Sequence, residues 1–138
     1  MAEYLQKENK INIIKRILDK DDRIVFAYLY GSYLLKSNAN DIDIAIYVNE
    51  KKIDYFIFPT DLKIKMYKKT GIVADLFDIK VINNLLSKGD LFTLLYLKDV
   101  FTKGLLIVDK DPDLRTDLYE KYGLKYRECE GLIAEILI

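Results

Sequence analysis

From Asp41 to Val48 the chain alternates. Ile42, Ile44, Ile46 and Val48 form one apolar series, and Asp41, Asp43, Ala45 and Tyr47 form the other. Successive strand residues point to opposite faces, so this parity predicts a strand whose start carries two carboxylates on one face. Upstream, Ile24 to Tyr30 has no charged position at all, which predicts a central strand covered on both sides. Tyr4, Ile11, Ile14 and Leu18 share one helical stripe, predicting a helix over 4–18 that the charged turn Asp19 to Arg23 stops. A short helical segment, Tyr33 to Lys36, and a turn, Ser37 to Asn40, are expected between the two strands. Thr60 is placed to cap a helix reaching about Lys69, although Leu62, Ile64 and Met66 also alternate as a strand would.

The second half is read in the same way. Ile72 to Ile79 predicts a third strand interrupted by Asp75 and Asp78, and Val81 to Lys88 a helix stopped by Gly89. Leu91 to Phe101 is apolar in a pattern that fits either state, and Gly104 to Val108 predicts a fourth strand. Asp111-Pro112 supplies a cap and a first turn for a last helix over about 112–137. The end of that helix, Leu132 to Ile138, is too apolar to stand bare in water. It either packs on the body or meets a second copy or another chain. With 138 residues, one domain spanning 1–138 is expected, its core at about 24–108.

Composition narrows the chemistry. Histidine is absent and Cys129 is the lone cysteine, so Ser-His triads, cysteine metal cages and intrachain disulfides are excluded. Any catalysis must rest on carboxylates, lysine, tyrosine or a bound metal. Basic and acidic residues balance at 22 each, which argues against gripping a long nucleic acid through its phosphates. Lys63, Lys65, Lys68 and Lys69 then read as a solvated helix surface, as do Lys103 and Arg127. The opening MAEYLQKENK has no signal-peptide core and no apolar run reaches a membrane span, so a cytoplasmic protein without membrane contact is expected.

What remains is the sequence YLYGSYLLKSNANDIDIAIYV. Gly31 lets backbone approach a phosphate with no Cβ in the way, and Ser32 adds a hydroxyl and an amide. Two carboxylates on one strand face suit divalent cations, and magnesium prefers such hard oxygen ligands together with substrate phosphates. Two ions about 3.5–4 Å apart activate an attacking oxygen and stabilise a leaving one. A third acid completes such a site. Asp75, sharing its strand parity with Val73, Phe77 and Ile79, is the first choice, because a carboxylate there is costly unless paired or metal-bound; Asp78 is the alternative. Tyr30 and Tyr33 flank the Gly-Ser turn and are candidates to border a nucleotide.

GSYLLKSNANDIDIAIYV followed by VADLFDI resembles the minimal nucleotidyltransferases of the polymerase-beta-like superfamily, over about Ile24 to Val108. The resemblance implies an α+β fold, a small mixed sheet of about four strands flanked by helices. It implies that Gly31 and Ser32 hold the triphosphate of ATP. It further implies that Asp41 and Asp43 bind two Mg2+ ions with Asp75 as third ligand. The stretch between Ser32 and Asp41 is shorter than is common in that family and lacks its frequent Arg-Gly pair. No acceptor-binding domain is appended, so the acceptor is expected as a separate molecule. Minimal proteins of this kind are similar to the antitoxin half of pairs whose other half is a helical HEPN ribonuclease. That implies transfer of AMP from ATP onto a tyrosine of the toxin. A non-catalytic antitoxin that neutralises by contact alone is the rival reading, and modification of a small molecule such as an aminoglycoside ranks third.

Overall fold

A computed structural model of the chain describes residues 2–31, 41–88 and 90–137. Ser32, the segment expected over Tyr33 to Lys36, the turn Ser37 to Asn40, and Gly89 lie outside them, as does the side chain of Tyr4. The strands are β1 (Ile24–Tyr30), β2 (Ile42–Val48), β3 (Phe77–Val81) and β4 (Leu105–Asp109), in the spatial order β3-β2-β1-β4. β1 runs antiparallel to both β2 and β4, whereas β2 and β3 are parallel, so the sheet is mixed.

Helices cover both faces. On one side α1 (Ala2–Lys20) and α2 (Phe58–Thr70) bring Ile14, Leu18, Phe58, Leu62 and Met66 against Leu29, Ile42, Ile44, Ile46, Phe77 and Ile79. On the other, α4 (Leu91–Lys103) and α5 (Pro112–Glu128) pack Leu94, Leu97, Val100 and Tyr122 against Phe26, Tyr28 and Ala45. Polar alternation within β2 therefore marks the second face, while the all-apolar β1 serves both. α3 (Leu85–Lys88) is a single turn and α6 (Glu130–Leu137) closes the described chain. Among the described residues no helix is long and apolar enough to cross a membrane.

Several expectations need correction. Thr60 does not cap α2; the helix starts at Phe58 with Pro59 in its first turn, and the Asp54 carboxylate accepts from the Phe56 and Ile57 amides ahead of it. Val81 ends β3 instead of opening a helix. The ambiguous segment from Leu91 is helical, because the Asp90 side chain accepts from the Thr93 amide and fixes an N-terminus there. Asp111 caps α5 as expected, but the last helix breaks at Cys129, whose amide turns back to the Lys125 and Tyr126 carbonyls.

The α1–β1 turn is held by charge. Arg23 donates to both carboxylate oxygens of Asp21 at 2.8 and 2.6 Å and to Asp61 on α2 at 2.9 Å, and its guanidinium lies 4.8 Å from the Phe58 ring centre. Burial pushes the Asp21 carboxyl up, but hydrogen bonds from Arg23 outweigh it and hold the group below its ordinary 3.8. A lowered carboxylate contributes stability above its unfolded pKa and loses it as pH falls through the folded value. Asp21→Asn should therefore cost about 1–2 kcal/mol at neutral pH. Urea unfolding at pH 7 and pH 3 checks this: the gap between variant and wild type should narrow in acid.

Candidate active site

β1 ends at Tyr30, and Gly31 turns the chain with a φ of +83°. That conformation suits glycine on its own account. A second constraint is steric, since a Cβ built on Gly31 would run into Oδ2 of Asp43. Antiparallel register places Tyr30 beside Asp43, and parallel register places Asp78 of β3 on the other side of it. The end of one strand and the starts of two others thus present Gly31, Asp43 and Asp78 in a row across the sheet.

Asp43 is half-buried, Asp78 is exposed on the outer strand, and Asp41 is exposed immediately before β2. Burial raises the Asp43 pKa, followed by the negative charges of Asp78 and Asp41 and a hydrogen bond with the Asp78 carboxyl. Each of these influences favours the neutral form of Asp43 over the charged one. Among the described residues no three acidic or cysteine side chains are gathered closely enough to hold a metal by themselves. The donor set nevertheless suits a hard divalent cation: oxygen ligands only, on a pair whose mutual repulsion a cation would reverse.

Asp75 does not join this row, which corrects its expected position in mid-strand. Residues Ala74–Leu76 form a 3-10 turn, the Leu76 amide donating to the Val73 carbonyl at 3.0 Å, and β3 begins only at Phe77. The Asp75 side chain is exposed on that turn. Phe77 and Ile79 face the core beside Ile42 and Ile44, so the alternate position, Asp78, shares the face of Asp43.

Two residues that sequence reasoning did not single out complete the surroundings. The Tyr96 hydroxyl on α4 meets that of Tyr30 at 2.7 Å, and Lys80 Nζ lies 4.6 Å from the Tyr96 ring centre. Burial pushes the Tyr30 hydroxyl up to about 12; the Tyr96 hydrogen bond opposes this and the Asp43 and Asp78 charges add to it. Tyr96 is raised as well, by burial, then by Tyr30 and the same two carboxylates. Both hydroxyls stay protonated beside the acids. Lys80 had a signal, being two positions after Asp78 on an alternating strand. Tyr96 had none while the state of its segment was open.

The other cationic candidates lie elsewhere. Lys63, Lys65, Lys68 and Lys69 belong to α2 on the opposite side of the sheet, with Lys65 paired to Asp61 at 3.4 Å. Lys103 pairs with Asp99 at 3.5 Å, and Arg127 donates to the Gly123 carbonyl of its own helix.

A mixed sheet carrying a glycine turn and adjacent strand carboxylates defines a class of phosphate-handling domain. The family model for polymerase beta nucleotidyltransferases matches residues 12–113, and the chain belongs to that family. No curated protein matches the chain. Among solved structures, it is similar to a chain in the complex of the tri-AMPylated HEPN toxin of Shewanella oneidensis with an MNT antitoxin. The identity is 19%, with a TM-score of 0.58, covering 96% of this chain and 99% of that one. A chain of a toxin–antitoxin complex with AMP-PNP gives 21% identity and a TM-score of 0.57, covering 95% and 98%. A chain of the MntA–HepT toxin–antitoxin complex gives 19% and 0.56, covering 95% and 99%. At these identities the likeness establishes a shared fold.

Proposed function

We propose that the chain transfers AMP from ATP to a tyrosine of a HEPN ribonuclease toxin and thereby acts as its antitoxin. The observation that carries this reading is the Asp43–Asp78 pair, set in register on adjacent strands with the Gly31 turn closed against it. Family membership supports nucleotidyl transfer, and the structural likeness to antitoxin complexes supports the acceptor class.

Asp41, Asp43 and Asp78 would hold Mg2+, two ions in the full reading. Bound there, magnesium would offset charge on the phosphates and on the attacking oxygen. The backbone at Gly31, and Ser32 after it, would lie against the triphosphate. Asp78, exposed on the edge strand β3 and paired in register with Asp43, is the carboxylate to which we assign the phenolic proton. The tyrosine oxygen bonds to the α-phosphorus, the bond from that phosphorus to the β-phosphate bridging oxygen breaks, and pyrophosphate leaves. The Tyr30 and Tyr96 hydroxyls, hydrogen-bonded to each other and both protonated, stand beside the acids without taking their charge.

Incubating the chain with ATP, magnesium and the HEPN protein encoded beside it, then weighing that protein, tests the proposal. A gain of one or more AMP units is expected; an unchanged mass with the toxin silenced would favour neutralisation by contact. Exposed Tyr119, Leu124 and Leu132 on α5 and α6 give that second reading its physical basis. Asp78→Asn should slow transfer by about two to three orders of magnitude. Asp75→Asn, on its exposed turn, should stay within about twofold of wild type. Single-turnover rates of the two variants check the reassignment of the third acid.

A further inference from the structure

The two flanks of α4 differ. Lys98, lying 5.4 Å from the Tyr126 ring centre, and Phe101, 5.5 and 5.1 Å from the rings of Tyr119 and Tyr122, are covered by α5. The other flank carries Tyr96, which meets Tyr30, and one turn earlier Phe92, which is 80% exposed. Residues four apart on a helix are neighbours on one side, so Phe92 extends the Tyr96 surface outward. Lys80 lies against one side of the Tyr96 ring with the rest of its side chain exposed. The bare Phe92, the Lys80–Tyr96 pair and the Asp43–Asp78 pair thus make up a lip on one side of the sheet.

We propose that Lys80, Tyr96 and Phe92 form the acceptor subsite, selecting an aromatic hydroxyl over an aliphatic one. The inference rests on the transfer reading above and names its acceptor-binding residues. An ammonium is attracted to ring faces, and Lys80 has a hemisphere left for a second ring. Asp78 and Lys80 share a strand face roughly 6.6 Å apart. That is the reach of a phenol side chain, so a tyrosine ring held at Lys80 and Phe92 brings its oxygen to Asp78. A serine hydroxyl, with no ring to hold, has no such anchor.

NMR titration of the full chain with N-acetyl-tyrosinamide and with N-acetyl-serinamide, at millimolar concentrations, tests this without requiring turnover. The tyrosine probe should shift signals of Lys80, Phe92 and Tyr96, and the serine probe should not. Lys80→Met and Phe92→Ala should each weaken binding about threefold or more, while Lys80→Arg retains it. In transfer to the HEPN protein, both weakening variants should raise KM more than they lower kcat. Equal binding of the two probes, no shift at the lip, or unaltered binding by Lys80→Met and Phe92→Ala would overturn the subsite. So would a dimer that Phe92→Ala dissociates while tyrosinamide binding is unchanged, since the lip would then belong to a second copy. Because Asp43→Asn should still bind the tyrosine probe, failure of the transfer reading and failure of the subsite are separable.

Discussion

Asp43→Asn should reduce AMP transfer by about two to three orders of magnitude, the usual consequence of removing one electrostatic element of a reacting site. The same substitution should firm the metal-free fold at neutral pH. Burial and the charges of Asp78 and Asp41 raise the Asp43 pKa. A group raised in the folded state contributes stability that is fully present below its unfolded pKa, ordinarily 3.8, and is lost as pH rises through the folded value. The asparagine variant lacks that loss. In chelator at pH 7 it should melt above wild type, and the advantage should disappear in acid. Magnesium should reverse the order by stabilising wild type more, since only wild type keeps both charges of the pair. A thermal-shift series over pH, with and without magnesium, tests both signs. Wild-type transfer by the variant would remove Asp43 from the chemistry.

Gly31→Ala should be the most damaging small substitution in the chain. An alanine at a φ of +83° costs about 1–2 kcal/mol from backbone strain. The new Cβ also meets the Asp43 carboxylate, so the acid must move. A displacement of this size at a reacting centre lowers rate by about a hundredfold. The two contributions can be separated. In an Asp43→Ala background the collision is gone and only the backbone strain remains, so Gly31→Ala should be less destabilising there. A double-mutant cycle in urea measures the difference. Strict additivity would mean that the carboxylate gives way freely and that only the turn conformation requires glycine.

Much of this was readable because parity is a geometric signal. The alternation from Asp41 to Val48 fixed both the extent of β2 and the face that Asp43 occupies. The uncharged run Ile24 to Tyr30 marked a strand packed on both sides, and it is one of the two central strands. β3 misled because Ile72 and Val73 are as apolar as a strand entry, while a 3-10 turn at Ala74–Leu76 delays pairing until Phe77. The face that Asp78 occupies was nevertheless legible. Phe77 and Ile79 must share the core with Ile42 and Ile44, which leaves Asp78, at the opposite parity, to meet Asp43. Cross-strand order, the Tyr30–Tyr96 hydroxyl pair and the Lys80–Tyr96 contact depend on pairings far apart in the chain, which no local periodicity encodes. The break at Cys129 falls within a segment whose pattern is helical on both sides, so periodicity alone does not mark it.

A crystal structure of the chain soaked with Mn2+ and a non-hydrolysable ATP analogue bears most directly on the central claim. Anomalous scattering from manganese should lie between the carboxylates of Asp43 and Asp78, with Asp41 at its edge and the analogue's phosphates against Gly31. Manganese bound at Asp75, or phosphates seated away from the Gly31 turn with no metal at Asp43 and Asp78, would contradict it.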